Sequence, residues 1–374
     1  MKIALVHDYL ISFGGAERVF LNLKKIFPQA EIYTLLYDRK NMGKYFPKTR
    51  INTSFLQKFP RFWRKRHKYL LPFLPTAPES IDLRKFDLVI SSSSSFIKGV
   101  ITRPKAIHIC YCHSPMRFGW DAYASYIKEQ RKGFLTNAAI QIMMHYIRLW
   151  DKSAANRVDY FIANSKSTAQ RIRKYYHQEA QVIYPPVNTR IGQGILKNTN
   201  PSGQNFFLIV SRLTPYKRID LAVKAFNKLE LPLVIIGQGP DRKRLEKMAE
   251  SNIRFLGWQS DEAVREYYQN CQAFIFPGED DFGIAPVEAM SFSKPVLAFR
   301  KGGATETIIE GVTGEFFDEP VVESLADGIR RLLLNINNYS PIVIKKRAEK
   351  FSPERFETEI KEFVINALEQ RKGL

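Results

Sequence analysis

"FIFPGEDDFGIAPVEAM", residues 274–290, contains three successive elements. A short apolar run ends at Pro277-Gly278. Three acids follow, Glu279, Asp280 and Asp281. Then Phe282-Gly283-Ile284-Ala285-Pro286 opens a helix that carries Glu288. A continuous apolar run, as opposed to an alternating one, marks a strand covered on both faces. A strand, a polar turn and a helix make one unit of an open parallel sheet, whose ligand sites lie at the strand C-termini. The pattern repeats around this stretch in FFLIVSRL, LPLVIIGQG, NIRFLGW and PVLAF, with helices IDLAVKAFNKL, DRKRLEKMAES and DEAVREYYQNC between. An earlier series comprises KIALVHDY, FDLVISSSS, AIHICYCHS, DYFIANS and QVIYPPV. The stretch 188–205 is rich in Gly, Asn, Pro and Ser and separates the two series. The expectation is two Rossmann-like α/β domains, 1–187 and 205–351, joined by a linker at 188–204, with a final helix at 352–374. A cleft between two such domains is the natural site.

The chain has 374 residues, 45% hydrophobic and 25% charged, the composition of a soluble globular protein with ample core. Its three cysteines point to a reducing compartment without a disulfide framework, and Cys110 and Cys112 fit a buried strand. The N-terminal apolar run is too short for a signal peptide, and no stretch of about 18 uncharged apolar residues spans a membrane. Helix-forming 134–150 carries Asn137, Gln141, His145 and Arg148, so it suits a core or a membrane surface.

Charge is unevenly divided. Residues 1–186 hold 31 Lys+Arg and 12 Asp+Glu, a net of +19, whereas the remainder holds 26 and 25. No acid lies between Asp38 and Glu79, and within that gap residues 55–74 mix Phe59, Phe62, Trp63 and Tyr69 with six Lys/Arg, among them Arg64, Lys65 and Arg66. Nucleic acid is one partner for such a run. The flanking aromatics and leucines fit an anionic membrane interface better. A solvated basic helix with core-facing aromatics is the plainer reading.

Several features handle phosphate or sugar. Gly14-Gly15 turns a strand into a helix, where backbone N–H groups face an anion or a sugar, although a glycine turn is also an ordinary connection. SRLTPYKR (211–218) places Arg212 and Lys217 on a loop at a strand end, where a diphosphate can be gripped. Phe282 to Ala285 open a helix whose unpaired N–H groups point back at the acidic turn. The acids themselves allow a metal–diphosphate site at Glu279-x-Asp281, or helix capping. His113 follows a strand end and faces the expected cleft. The other histidines lack metal-ligand spacing, so no metal site is expected. GxGxxG and GxxxxGK[ST] are absent, which argues against a dinucleotide dehydrogenase or a P-loop ATPase.

Taken in order, FGGAERV, HSPMRFGWD, FIANS, IYPPVN, VSRLTPYKRIDLAV, IIGQGP, RFLGW, FGIAPVEAM, KPVLAF and GGATETIIEGVTGEFF resemble glycosyltransferase family 4, retaining nucleotide-sugar enzymes of the GT-B fold. HDYLISFGGAERV and CHSPMRFGWD look most like the O-antigen mannosyltransferase branch, which uses GDP-mannose. The resemblance implies that Arg212 and Lys217 bind the donor diphosphate and Glu288 the ribose. It implies that the backbone of Phe282, Gly283, Ile284 and Ala285 holds the sugar or its phosphate. Gly14 and Gly15 would line the same pocket, His113 would touch the transferred sugar, and Trp258 would border the base. The final helix would cross back to the first domain. The family spacing of Glu, seven residues, Glu puts Asp280 where a glutamate is usual, with Glu279 one position out of register.

The implied activity is an α-mannosyltransferase that moves mannose from GDP-mannose to a lipid-linked or glycan acceptor. It would need no cofactor or metal, bind no nucleic acid, and work in the cytoplasm at the inner face of the cell membrane. A GT-B sugar-nucleotide epimerase and a non-catalytic membrane or glycan-binding protein are the alternatives.

Overall fold

The computed structural model describes residues 1–47, 49–65, 67–121, 123, 134–189 and 205–372. Within them the chain forms two compact units, Met1–Tyr184 with the last helix from Phe356, and Pro185–Arg355. Most of the expected linker, 190–204, lies outside the described residues.

The first unit is built on a seven-stranded sheet. Its strands are β1 (Ile3–Leu10), β2 (Glu31–Tyr37), β3 (Ile51–Thr53), β4 (Leu88–Ser93), β5 (Ile107–Cys112), β6 (Tyr160–Ala163) and β7 (Ala180–Val182). All pairings are parallel, in the order β3-β2-β1-β4-β5-β6-β7. The order reverses between β1 and β4, and His7 pairs with Ser92 across that junction. Ligands of open α/β sheets bind beyond the strand C-termini at such a reversal.

The second unit carries β8 (Phe207–Val210), β9 (Leu233–Ile236), β10 (Ile253–Gly257), β11 (Ala273–Phe276), β12 (Val296–Phe299) and β13 (Gly314–Phe317). These six strands are also parallel, in the order β10-β9-β8-β11-β12-β13, so the reversal lies between β8 and β11.

Three strands escape the sequence reading: β2, β3 and β13. In β2 (EIYTLLY), Tyr33 and Thr34 interrupt the apolar run, so neither alternation nor continuity marks it. β3 (INT) and β13 (GEFF) carry no continuous apolar run of the kind that marks the others.

The last helix, Pro353–Lys372, packs on the first unit. Phe356, Ile360, Val364 and Ala367 recur at helical spacing and are buried with Leu5, Tyr111 and Ile162. Each large apolar side chain so buried contributes about 1.5–3 kcal/mol.

Two polar devices hold the C-terminal ends of the first sheet. Asp8 is buried, and its carboxylate accepts the backbone N–H groups of Ser94 (2.6 Å), Ser95 (3.0 Å), Phe96 (2.8 Å) and Ile97 (2.8 Å). It pins the serine-rich loop that follows β4. Farther out, Lys98 is bonded to buried Asp151, which also accepts from Trp120 Nε1 (2.8 Å) and the Tyr176 hydroxyl (2.9 Å). Much of HSPMRFGWD is thus structural, with Trp120 tied through Asp151 to helix Phe134–Ala155.

Residues 55–79 form no single basic helix. The described residues instead fall into short turns, Phe55–Lys58, Arg61–Lys65, His67–Phe73 and Thr76–Glu79, with Pro60 and Pro75 at two of the breaks. Phe59 is among the side chains expected at a membrane surface. Phe59 is half-buried against the core and packs on Phe73, with ring centroids 5.5 Å apart. Phe62 (58% exposed), Trp63 (42%) and Tyr69 (55%) do face outward. Arg64 is half-buried, the Lys65 side chain is not among those described, and Arg66 lies outside the described residues.

Candidate active site

In the second unit the basic loop and the acidic turn meet at the sheet reversal. The chain leaves β8 through SRLTPYKR and enters helix Ile219–Leu229, while neighbouring β11 leads into PGEDD. Gly278 makes the approach possible. A Cβ there would lie 2.6 Å from the Lys217 carbonyl oxygen and 2.7 Å from its Cα, against backbone that cannot give way. The Lys217 ammonium is bonded to the Asp280 carboxylate, and the two side chains keep only 14% and 19% of their exposure. Lys217 also lies over the rings of Tyr216 (5.3 Å) and Phe276 (5.8 Å). Arg212 is exposed on the same loop.

The acidic turn is clamped from its other side. Gly303 N–H donates to the Asp280 carbonyl at 2.9 Å, and a Cβ on Gly303 would fall 2.2 Å from Phe282 Cα. Helix Ile284–Ser291 then starts from Gly283, whose φ of 83° is left-handed. The Phe282 side chain is buried against Phe351, ring centroids 5.5 Å apart, so only the Phe282 backbone can serve a ligand. Glu288 is half-buried, and its Oε2 accepts from the Tyr268 hydroxyl at 3.2 Å. Tyr268 is itself buried and stacked on Phe292 at 5.6 Å. Trp258 is 68% exposed just past β10, the edge strand.

The first unit gathers different groups at its reversal. His113 follows β5, and its N–H donates to the Ser93 carbonyl at 2.8 Å. Its carbonyl accepts from Asn164 Nδ2 at 2.9 Å. Its Nε2 lies 2.8 Å from Ser92 Oγ, which is 3.0 Å from His7 Nδ1. His7 stacks on Phe20 at 4.7 Å, and its Nε2 faces the Glu17 carboxylate at 3.5 Å. Glu17 belongs to the first turn of helix Gly15–Ile26, and Gly14 caps that helix in an extended conformation. A Cβ on Gly14 would come within 3.1 Å of Glu17 Oε2. Burial first, and the neighbouring His7 imidazole second, push the His113 pKa down to about 3, so its ring is neutral at ordinary pH.

Of the expected site residues, the structure joins Lys217 to Asp280 and sets Gly14 beside Glu17. Trp258 stands apart on the sheet edge. Sequence reasoning missed His7, Glu17, Ser92 and Tyr268. Glu17 was signalled by its place after the double glycine; the others show nothing local. Among the described residues, no group of three His, Cys, Asp or Glu side chains is arranged to hold a metal ion.

Comparison with known proteins covers nearly the whole chain. Residues 13–191 match the Glycosyltransferase Family 4 model, and residues 195–373 match the Glycosyl transferases group 1 model. Human alpha-1,3/1,6-mannosyltransferase ALG2 is 25% identical over 76% of this chain and 74% of its own length. The Escherichia coli O-antigen chain mannosyltransferase C is 26% identical over 45% of this chain and 48% of its own. Among solved structures, Anabaena HepE in complex with UDP and glucose superposes with a TM-score of 0.70, at 20% identity, over 97% of this chain and 99% of that one. Two family models matching residues 13–191 and 195–373, on a chain of two parallel α/β units, leave one assignment: the protein belongs to glycosyltransferase family 4, with the GT-B fold.

Proposed function

We propose that the protein is a retaining α-mannosyltransferase that moves mannose from GDP-mannose to a lipid-linked oligosaccharide or surface-polysaccharide acceptor at the cytosolic face of the membrane. The observation that carries the catalytic part is Lys217, held by Asp280 at the reversal of the second sheet, with Arg212 on the same loop. As the glycosidic bond to the diphosphate breaks, negative charge grows on the phosphate oxygens. An ammonium and a guanidinium already in place stabilise that charge without reorganising. Asp280 orients Lys217 and offers its remaining acceptor capacity to a sugar hydroxyl. The N–H groups of Phe282 to Ala285 add donors at a helix start. Glu288, oriented by Tyr268, accepts from the ribose. These cations neutralise a diphosphate unaided, so transfer is expected to persist in excess EDTA. Loss on chelation, restored by magnesium or manganese, would instead favour a metal at Glu279-x-Asp281.

Mannose is favoured by the two mannosyltransferase relatives. HepE was solved with UDP, so the base needs a direct test. A thermal-shift panel of GDP-, UDP- and ADP-sugars supplies it. A ligand at 100 times its Kd stabilises by about 2.7 kcal/mol, so GDP-mannose should raise Tm by several degrees. Stabilisation by a UDP-sugar alone would overturn the donor assignment.

Among the described residues, no helix is long and apolar enough to cross a membrane. A peripheral contact is supported by the exposed Phe62, Trp63, Tyr69 and Phe73 among the basic residues of 55–74. Each Lys or Arg near an anionic surface contributes about 1 kcal/mol. Changing Arg64, Lys65 and Arg66 together to Glu should abolish flotation with anionic vesicles and leave GDP affinity unchanged. Equal flotation of the variant would remove the contact.

A further inference from the structure

Four side chains join end to end in the first unit: the Glu17 carboxylate, His7, Ser92 and His113. His7 Nδ1 and His113 Nε2 lie 3.0 and 2.8 Å from the same hydroxyl oxygen, Ser92 Oγ. His7 and Ser92 are buried, and His113 is 9% exposed. A serine hydroxyl carries one hydrogen. It donates to one of the two imidazoles and must accept from the other. The direction is therefore set from one end. The Glu17 carboxylate faces His7 Nε2 at 3.5 Å, long for a hydrogen bond but close enough to favour a proton on that nitrogen. A neutral His7 protonated at Nε2 has a bare Nδ1. Ser92 must then give its hydrogen to His7 and accept from Nε2–H of His113. In a neutral His113 this leaves the lone pair on Nδ1, which has no hydrogen bond to any described residue.

We infer that Glu17, His7 and Ser92 are positioning residues that lock His113 in its Nε2–H tautomer, so that Nδ1 accepts a hydrogen bond from a hydroxyl of the substrate sugar. This rests on the reading of His113 as the sugar contact. The proton order resembles that of any imidazole whose far nitrogen is fixed by a carboxylate, with a hydroxyl inserted between two rings. It explains why the glycine turn is followed by an acid. Gly14 leaves room for the Glu17 carboxylate to turn inward towards His7, where a Cβ would crowd it at 3.1 Å.

The test uses the full chain labelled with 15N-histidine, with ring nitrogens assigned by long-range proton–nitrogen correlation and His113 identified from a His113→Gln variant. The expected wild-type spectrum shows a bare Nδ1 and a protonated Nε2 at His113. Ser92→Ala and Glu17→Gln should each erase that preference and lower kcat about 10-fold, the usual scale for an outer partner of a functional group. Affinity for GDP, which lacks the transferred sugar, should not change. Ser92→Thr, which keeps the hydroxyl, should restore both tautomer and rate. A wild-type His113 protonated at Nδ1, or Glu17→Gln with the wild-type tautomer and rate, overturns the proposal, and neither depends on Ser92→Ala folding. Full transfer by His113→Ala would instead remove the sugar contact itself. Loss of transfer by His113→Ala beside an indifferent Glu17→Gln would keep the contact and discard the relay.

Discussion

At the reversal of the first sheet, between β1 and β4, the side chains are His7, Ser92 and, from β5, His113. At the reversal of the second, between β8 and β11, they are Lys217 and Asp280, with Arg212 exposed close by. Both sheets are parallel and both reverse once, so topology presents the same kind of position twice. The first unit fills it with buried imidazoles and a hydroxyl joined by hydrogen bonds. The second fills it with ions that keep part of their solvent contact. A sugar hydroxyl is neutral and is best read by a desolvated donor or acceptor in a fixed protonation state. A diphosphate needs charge, and charge cannot be buried without a partner, which Asp280 supplies to Lys217 before any ligand arrives. On the proposed function, one architecture serves two chemistries through the residues at its strand ends.

The ionic side should be the easier to break. Lys217→Ala should cost roughly 2–4 kcal/mol of transition-state stabilisation in kcat/KM, the scale for removing one preorganised electrostatic donor. It should also weaken GDP binding. Near-normal turnover by a folded variant would end the assignment.

The neutral side should show itself in pH. All six histidines lie in residues 1–184. Burial lowers the pKa of His108 to about 4 and that of His113 to about 3, both below the unfolded value near 6.5. The unfolded chain therefore binds protons that the fold refuses. These groups leave stability intact above pH 6.5 and remove it as pH falls towards 4. Hydrogen exchange at pH 7 and pH 5 should show the first unit loosening more than the second. A larger loss in the second unit would reverse the comparison.

Asp280 holds Lys217 within the second unit. Asp280→Asn keeps the shape but removes the charge that holds Lys217, so turnover should fall further than with Glu279→Gln. Kinetics of the two variants decide it. A more damaging Glu279 change would place the working acid one residue earlier. Smallest of all, Tyr268→Phe removes one hydroxyl from Glu288 and should weaken donor binding by about 1 kcal/mol, measured calorimetrically. No change would make the Tyr268 contact purely structural.

The extent to which sequence revealed these sites follows from range. β1 and β4 to β12 stand out because their apolar runs are local. β2 hides because Tyr33 and Thr34 interrupt it, and β3 (INT) and β13 (GEFF) because their polar residues and Gly314 break any apolar run. Arg212, Lys217, Asp280 and Glu288 were singled out within single loops and turns, the last two through the family spacing. The bond between Lys217 and Asp280 was not, since it joins residues 63 apart. His7 and Ser92 are 85 apart, and only strand register brings them together.

The division of labour between the two reversals is tested most directly by calorimetric titration of GDP into the wild type, His113→Ala and Lys217→Ala, with mannosyl transfer measured on the same preparations. His113→Ala should bind GDP like the wild type while losing transfer, and Lys217→Ala should lose both. Equal loss of GDP affinity in the two variants, or undiminished GDP binding by Lys217→Ala, would contradict the account.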